Sequence, residues 1–138
     1  MKRIINIITA FALIFAFAVS ATACSKVDPW KSATYTEDTT LGEGASTIYV
    51  QVKVNDNSVT VTVNTDKTIL GDALLELGII DGDVEDYGLY VKYANGIRAD
   101  YDVDKVYWAF YENGEYLMTG VDSTEITNGG HYEIVYSK

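Results

Sequence analysis

The 138-residue chain has one cysteine, Cys24, one proline, Pro29, one histidine, His131, and ten basic residues against twenty acidic ones. Each scarcity excludes something. A lone cysteine cannot close an intramolecular disulfide, so the fold must be held by its core alone. A lone imidazole without further thiols or converging carboxylates cannot build a zinc site, and no Ser or Cys motif offers His131 a nucleophile to activate. A formal net charge of −10 repels phosphate backbones and anionic headgroups, which argues against nucleic-acid binding and polybasic membrane docking. The longest apolar run, Ile4 to Val19, is 16 residues, shorter than the ~20 a spanning helix needs.

The N-terminus gives the lone thiol a use. Lys2 and Arg3 precede the apolar run, only Asn6 and Thr9 interrupt it, and Ser20-Ala21-Thr22-Ala23 sets small residues before Cys24. This is the layout of a lipoprotein export signal: Ala23 suits the cleavage junction, and the Cys24 thiol is free to accept a diacylglyceryl group. Ala21 stands where a large aliphatic residue is usual. The alternatives are an ordinary secretory signal cut after Ala21 or Ala23 and an uncleaved anchor. The short run and the thiol at the junction favour lipidation. Residues 1–23 are therefore read as a signal peptide, and the mature chain as held at the extracytoplasmic face of the cell membrane by two or three acyl chains on Cys24. It keeps 115 residues and, with Lys2 and Arg3 removed, a net charge of −12. That length can bury the core of one domain.

Residues 24–46 lack periodicity and are rich in Ser, Thr, Gly and acidic residues. They read as a flexible tether, whose ~22 residues of coil would reach roughly 25 Å. Residues 47–138 read as the domain. Ile48, Val50, Val52 and Val54 alternate with polar residues, as do Val59, Val61 and Val63, and Asn55-Asp56-Asn57 lies between them. This predicts an antiparallel hairpin. Ile69, Ala73, Leu74 and Leu77 recur at helical spacing behind Thr68 as N-cap and before Gly78 as stop, so a short helix is expected to cover the hairpin's apolar face. An acidic loop at 81–86 follows, then strands at 87–94, 106–112, 115–119 and 131–136, with a hairpin turn at Asn113-Gly114. The order predicts an α+β fold, a mixed sheet of about five to six strands with one helix packed on one face.

Four segments, TILGDALLELG (68–78), LYVKYANGI (89–97), VYWAFYENG (106–114) and ITNGGHYEIVY (126–136), occur in an order that resembles the transcobalamin-like C-terminal domain family. Gly129-Gly130 stands where that family commonly has a Gly-Asp pair. The resemblance implies a β-grasp-like architecture and a non-catalytic binding module, with cobalamin as one candidate ligand. In animal carriers the domain lays a sheet face and loops over the corrinoid opposite a second domain, so tight capture here would call for a partner or a dimer.

Along 106–112 alternation puts Trp108 and Phe110 on one face and Tyr107 and Tyr111 on the other. Trp108 and Phe110 are expected to pack under the helix. Tyr107, Tyr111 and Tyr116, with Trp108, are the candidate ligand-binding residues, since flat amphipathic rings stack on planar ligands, sugars or partner proteins. Cross-strand stabilisation of the sheet is the plainer role for the same rings. The acidic runs at 81–86 and 100–104 invite calcium, but neither supplies the glycine and bidentate glutamate of an EF-hand, and solvated loop charge is the favoured reading. No catalytic residue, metal site or resident cofactor is assigned. The expectation is a lipid-anchored extracytoplasmic binding protein rather than an enzyme. Its alternative is a cell-surface module that meets a protein or glycan.

Overall fold

The computed structural model describes residues 27–138. The export signal and Cys24, on which the lipidation reading falls, lie outside them. Among the described residues no helix is long and apolar enough to cross a membrane.

Elements follow in the order β1 (Thr39–Leu41), β2 (Ser46–Val54), β3 (Asn57–Thr65), α1 (Leu70–Glu76), β4 (Ile80–Glu85), β5 (Gly88–Ala94), β6 (Ile97–Arg98), α2 (Tyr101–Asp104), β7 (Tyr107–Glu112), β8 (Glu115–Tyr116) and β9 (His131–Ser137). Single 3₁₀ turns occupy Pro29–Ser32 and Val121–Ser123. The strands form a six-stranded mixed sheet, β1-β3-β2-β9-β7-β8, and a separate three-stranded sheet, β4-β5-β6.

The large sheet grows from the valine alternation. β2 and β3 pair antiparallel across the Asn55-Asp56 turn, with Val50 opposite Val61 and Val52 opposite Val59. β9 joins β2 in parallel, setting Tyr132 beside Val50 and Ile134 beside Val52, so one face becomes a continuous apolar surface. Ile48, Val50, Val52, Val54, Val59, Val61, Val63, Tyr132 and Ile134 are all buried there.

The expected helix is present, but it does not cover this face alone. Seven residues of helix are about 10 Å long, whereas six strands span about 24 Å. α1 contributes Leu70, Ala73 and Leu74, and the second sheet contributes Ile80, Val91, Ala94 and Ile97 to the same core. The molecule is thus richer in strand than the sequence suggests, because the acidic segment 81–86, read as a loop, is most of β4. Asp81, Asp83 and Glu85 are exposed on an edge strand, a placement that keeps the edge soluble.

Two further differences have local causes. α1 starts at Leu70 and has no side-chain cap. The Leu70 N–H donates instead to the Thr124 carbonyl at 2.8 Å, and the Ile126 N–H to the Thr68 carbonyl at 2.8 Å. Neighbouring backbone does the work expected of the Thr68 hydroxyl. Residues 28–41, within the stretch read as a tether, lie against the domain: Trp30, Ala33, Tyr35 and Leu41 pack on the core, and β1 runs parallel to β3 with Thr39 opposite Val61. Their partners are distant in sequence, so no local pattern announces them.

Candidate functional site

β6 pairs with β5 only at Tyr93 and Ala94, and β8 pairs with β7 only at Tyr111 and Glu112. The first half of each of β5 and β7 therefore has no strand partner on that side. Between them runs a groove of about 270 Å³, lined by Leu89–Val91, by Tyr107, Trp108 and Phe110, and by the segment Tyr116–Val121.

The floor is aromatic and fixed. Trp108 is 6% exposed; its indole N–H donates to the Ile97 carbonyl at 3.2 Å, and its ring meets Tyr136 edge-on with centroids 5.4 Å apart. The indole polar atom is thus satisfied inside the protein, leaving ring surface to the groove. Trp108 lies on the core face as alternation requires. Ile97 of the second sheet and the 116–121 segment lie against it, and it shares one core with Leu70 and Leu74 of α1. Burial raises the Tyr136 phenol above its ordinary pKa, with the Asp104 charge adding to the shift and Arg98 opposing it.

The outer wall is an irregular strip tied at both ends. Leu117 N–H donates to the Phe110 carbonyl at 2.9 Å. At the other end the Asp122 carboxylate accepts the Leu89 N–H at 3.1 Å, and the Thr124 hydroxyl donates to the Gly120 carbonyl at 2.9 Å. The sequence pattern extends a strand through Thr119; pairing ends at Tyr116 and the chain instead bends over the groove. Met118, 89% exposed, projects from this strip at the rim.

Of the four aromatic candidates, the groove brings together Tyr107, Trp108 and Tyr116. Tyr111 is not among its lining residues. It stands opposite Tyr116 across β7 and β8, the two rings 5.5 Å apart at 74°. Sequence reasoning missed the β5 wall and the strip after Tyr116. Leu89-Tyr90-Val91 reads as strand, but only the tertiary arrangement sets its edge against β7. The outer face of the large sheet carries a second aromatic feature, Tyr49 stacked on His131 with centroids 4.9 Å apart.

Three carboxylates of the acidic segments, Asp83, Asp100 and Asp104, are engaged with cations. Lys92 Nζ lies 2.6 Å from Asp83 and 3.6 Å from Asp100, and the hydrogen bond to Asp83 is the main cause that raises the Lys92 pKa. Arg98 forks onto Asp104 at 3.0 and 2.9 Å; this and the Asp100 backbone N–H hold the Asp104 carboxyl below its ordinary value. Among the described residues no group of three or more His, Cys, Asp or Glu side chains is placed to hold a metal ion.

No protein-family model and no curated protein matches the chain. Solved structures do. A candidate metal-binding protein from Ruminococcus gnavus ATCC 29149 is similar with a TM-score of 0.64 and 26% identity, over 68% of this chain and 98% of that one. Haptocorrin in complex with Cbi is similar with a TM-score of 0.51 and 23% identity, over 71% of this chain and 26% of haptocorrin. The second likeness is one of fold, and this chain spans about a quarter of haptocorrin's length.

Proposed function

We propose that the protein is a lipid-anchored, extracytoplasmic, non-catalytic binding domain of the transcobalamin-like type, whose groove between β5 and β7 receives a small amphipathic ligand. The observation that carries this reading is the convergence of Tyr107, Trp108, Phe110 and Tyr116 on one groove in a fold similar to part of haptocorrin. Rings with apolar faces and polar edges suit a flat ligand that carries polar substituents. Corrinoids are the first ligand class to test.

The groove's size shapes the proposal. At about 270 Å³ it falls just under the range that encloses drug-sized ligands, so a corrinoid would rest on it with much of its surface uncovered. A second protein or a second copy would complete the enclosure. The test is a titration with cobinamide and cobalamin, following Trp108 fluorescence in a Trp30→Phe background and checking by calorimetry. Saturable quenching at micromolar or tighter affinity supports the reading, and its absence turns the search to macromolecules. The alternative, a module that meets a cell-surface protein or glycan, draws on the Tyr49–His131 stack and on Tyr111, which lie outside the groove.

The relative from Ruminococcus gnavus raises metal binding. A site among the described residues would need ligands drawn together from beyond any cluster present, so calcium or zinc titration is the control and not the leading hypothesis.

A further inference from the structure

The segment Asp28–Leu41 is fastened along its whole length. The Asp28 carboxylate caps its own turn by accepting the Trp30 N–H at 3.0 Å, Trp30 of that turn packs on the core, and Thr34 N–H donates to the Asn95 carbonyl at 2.9 Å. Tyr35 exchanges two hydrogen bonds with the Asn95 side chain. The Asp38 carboxylate accepts the Thr60 N–H at 2.9 Å, and Thr39–Leu41 pair with β3. The folded body therefore begins at Asp28, four residues after Cys24.

That short interval changes what a lipid on Cys24 can do. Four residues extend at most ~14 Å, whereas a domain of about 110 residues, with a radius of gyration near 13 Å, is about 34 Å across. A tether shorter than half the domain's width does not let the domain turn every face to the bilayer. A free 22-residue coil, reaching roughly 25 Å, would.

We propose that the domain docks on the lipid surface through one end, formed by Val27–Ser32 and the Asn95–Ile97 turn against which that segment packs. This rests on the reading of Cys24 as lipid-anchored. Val27 is 80% exposed and Lys31 is exposed, an apolar side chain and a cation that both suit the headgroup region, and the Lys31 charge offsets that of the exposed Asp28. The opposite end is the tip of the β4–β5 hairpin, where Asp81, Asp83, Glu85 and Asp86 are exposed. Anionic headgroups repel this tip within a Debye length. From Gly88 to Asn95 the strand spans about 23 Å, so the carboxylates are held well away from the docked end. Leu89–Val91, the β5 wall of the groove, lies in the far half of that strand and stays open to the aqueous side.

The test uses the full lipidated chain in phosphatidylethanolamine and phosphatidylglycerol vesicles that contain nitroxide-labelled lipid. Lipidation consumes the only native thiol, so a fluorophore attaches uniquely to Ser32→Cys, exposed beside Lys31, or to Asp86→Cys. The probe at position 32 is expected to be quenched several-fold more than the probe at 86. Inserting about a dozen Gly/Ser residues between Val27 and Asp28 should erase the difference, because the tether then reaches past the domain's radius. Equal quenching in the uninserted chain, with Cys24 shown by mass to carry lipid, overturns the docking and leaves the anchor standing. An unmodified Cys24 overturns the anchor and the docking with it.

Discussion

The Asn95 carboxamide and the Tyr35 backbone exchange two hydrogen bonds: Tyr35 N–H donates to Asn95 Oδ1 at 2.8 Å, and Asn95 Nδ2 donates to the Tyr35 carbonyl at 2.9 Å. One side chain thus acts as a strand partner for a segment sixty residues away. Asn95 is 1% exposed and holds φ at 50°, a conformation asparagine tolerates better than most residues. Its own backbone is also committed, the N–H to the Ile79 carbonyl and the carbonyl to Thr34.

Asn95→Ala should therefore release the N-terminal segment before it unfolds the domain. Two partly buried bonds are lost and a left-handed alanine is introduced, for a cost of about 2–4 kcal/mol. Lys31, exposed within that segment, reports the release: trypsin should cut after it many-fold faster in the variant than in the native chain, while the β2–β3 hairpin stays protected from hydrogen exchange. Unchanged cleavage would mean that Trp30 and β1 hold the segment without Asn95.

The contrast between this segment and the hairpin shows what was legible in the sequence. Val50 and Val61 announce their strands because alternation is a local pattern, and Asn113-Gly114 announces its turn because only such residues accept φ of 51° and 85° there. Trp30, Tyr35 and Leu41 belong to no repeating pattern, and their binding site is assembled from Asn95, Ile79 and β3. The groove divides the same way. Tyr107, Trp108 and Tyr116 stand out as an aromatic cluster, while its walls at Leu89 and Gly120 depend on how two sheets meet. Asp81, Asp83 and Glu85 mimic a loop because an edge strand with carboxylates and a glycine has the composition of one.

That glycine is a second point of test. The β4–β5 register shifts between Asp81 and Gly82, and a Cβ added at Gly82 would fall on the Tyr90 carbonyl oxygen. Backbone, not a flexible side-chain end, would have to move. Gly82→Ala should cost about 2 kcal/mol or more and loosen the β5 wall of the groove. Urea denaturation gives the cost, and faster amide exchange at Leu89 and Val91 than in the native chain locates it.

The Arg98–Asp104 fork predicts a pH dependence. The folded-state Asp104 carboxyl sits below its ordinary value, so its stabilising contribution is present above the usual carboxylate range and is lost as pH falls through the depressed folded value. Asp104→Asn should lower the urea midpoint slightly at neutral pH, the small size following from solvent screening of an exposed pair. The two proteins should converge in acid. The same substitution should bring the Tyr136 phenol part of the way back toward its ordinary pKa, since burial is the larger cause of its upward shift. A ring-resonance titration of Tyr136 by NMR checks this, and an undiminished shift would leave burial as the whole cause.

The three tyrosines decide which surface binds. If the ligand occupies the groove between β5 and β7, Tyr107→Ala and Tyr116→Ala each alter its lining, and affinity for cobinamide should fall by roughly 5- to 30-fold, the range of a contact worth 1–2 kcal/mol. Tyr111 lies outside the lining but packs edge-on against Tyr116. Tyr111→Phe keeps that packing and removes only the hydroxyl, so it should bind within about twofold of the native chain. The sheet's outer face makes the opposite demand. A macromolecule resting on Tyr49, His131 and Tyr111 would be weakened by Tyr49→Ala, a change that leaves the groove lining intact. Calorimetry on these variants, with far-ultraviolet circular dichroism confirming that each folds, separates the two surfaces. A loss confined to Tyr49→Ala and Tyr111→Phe would remove the groove from the function and put the open sheet face in its place.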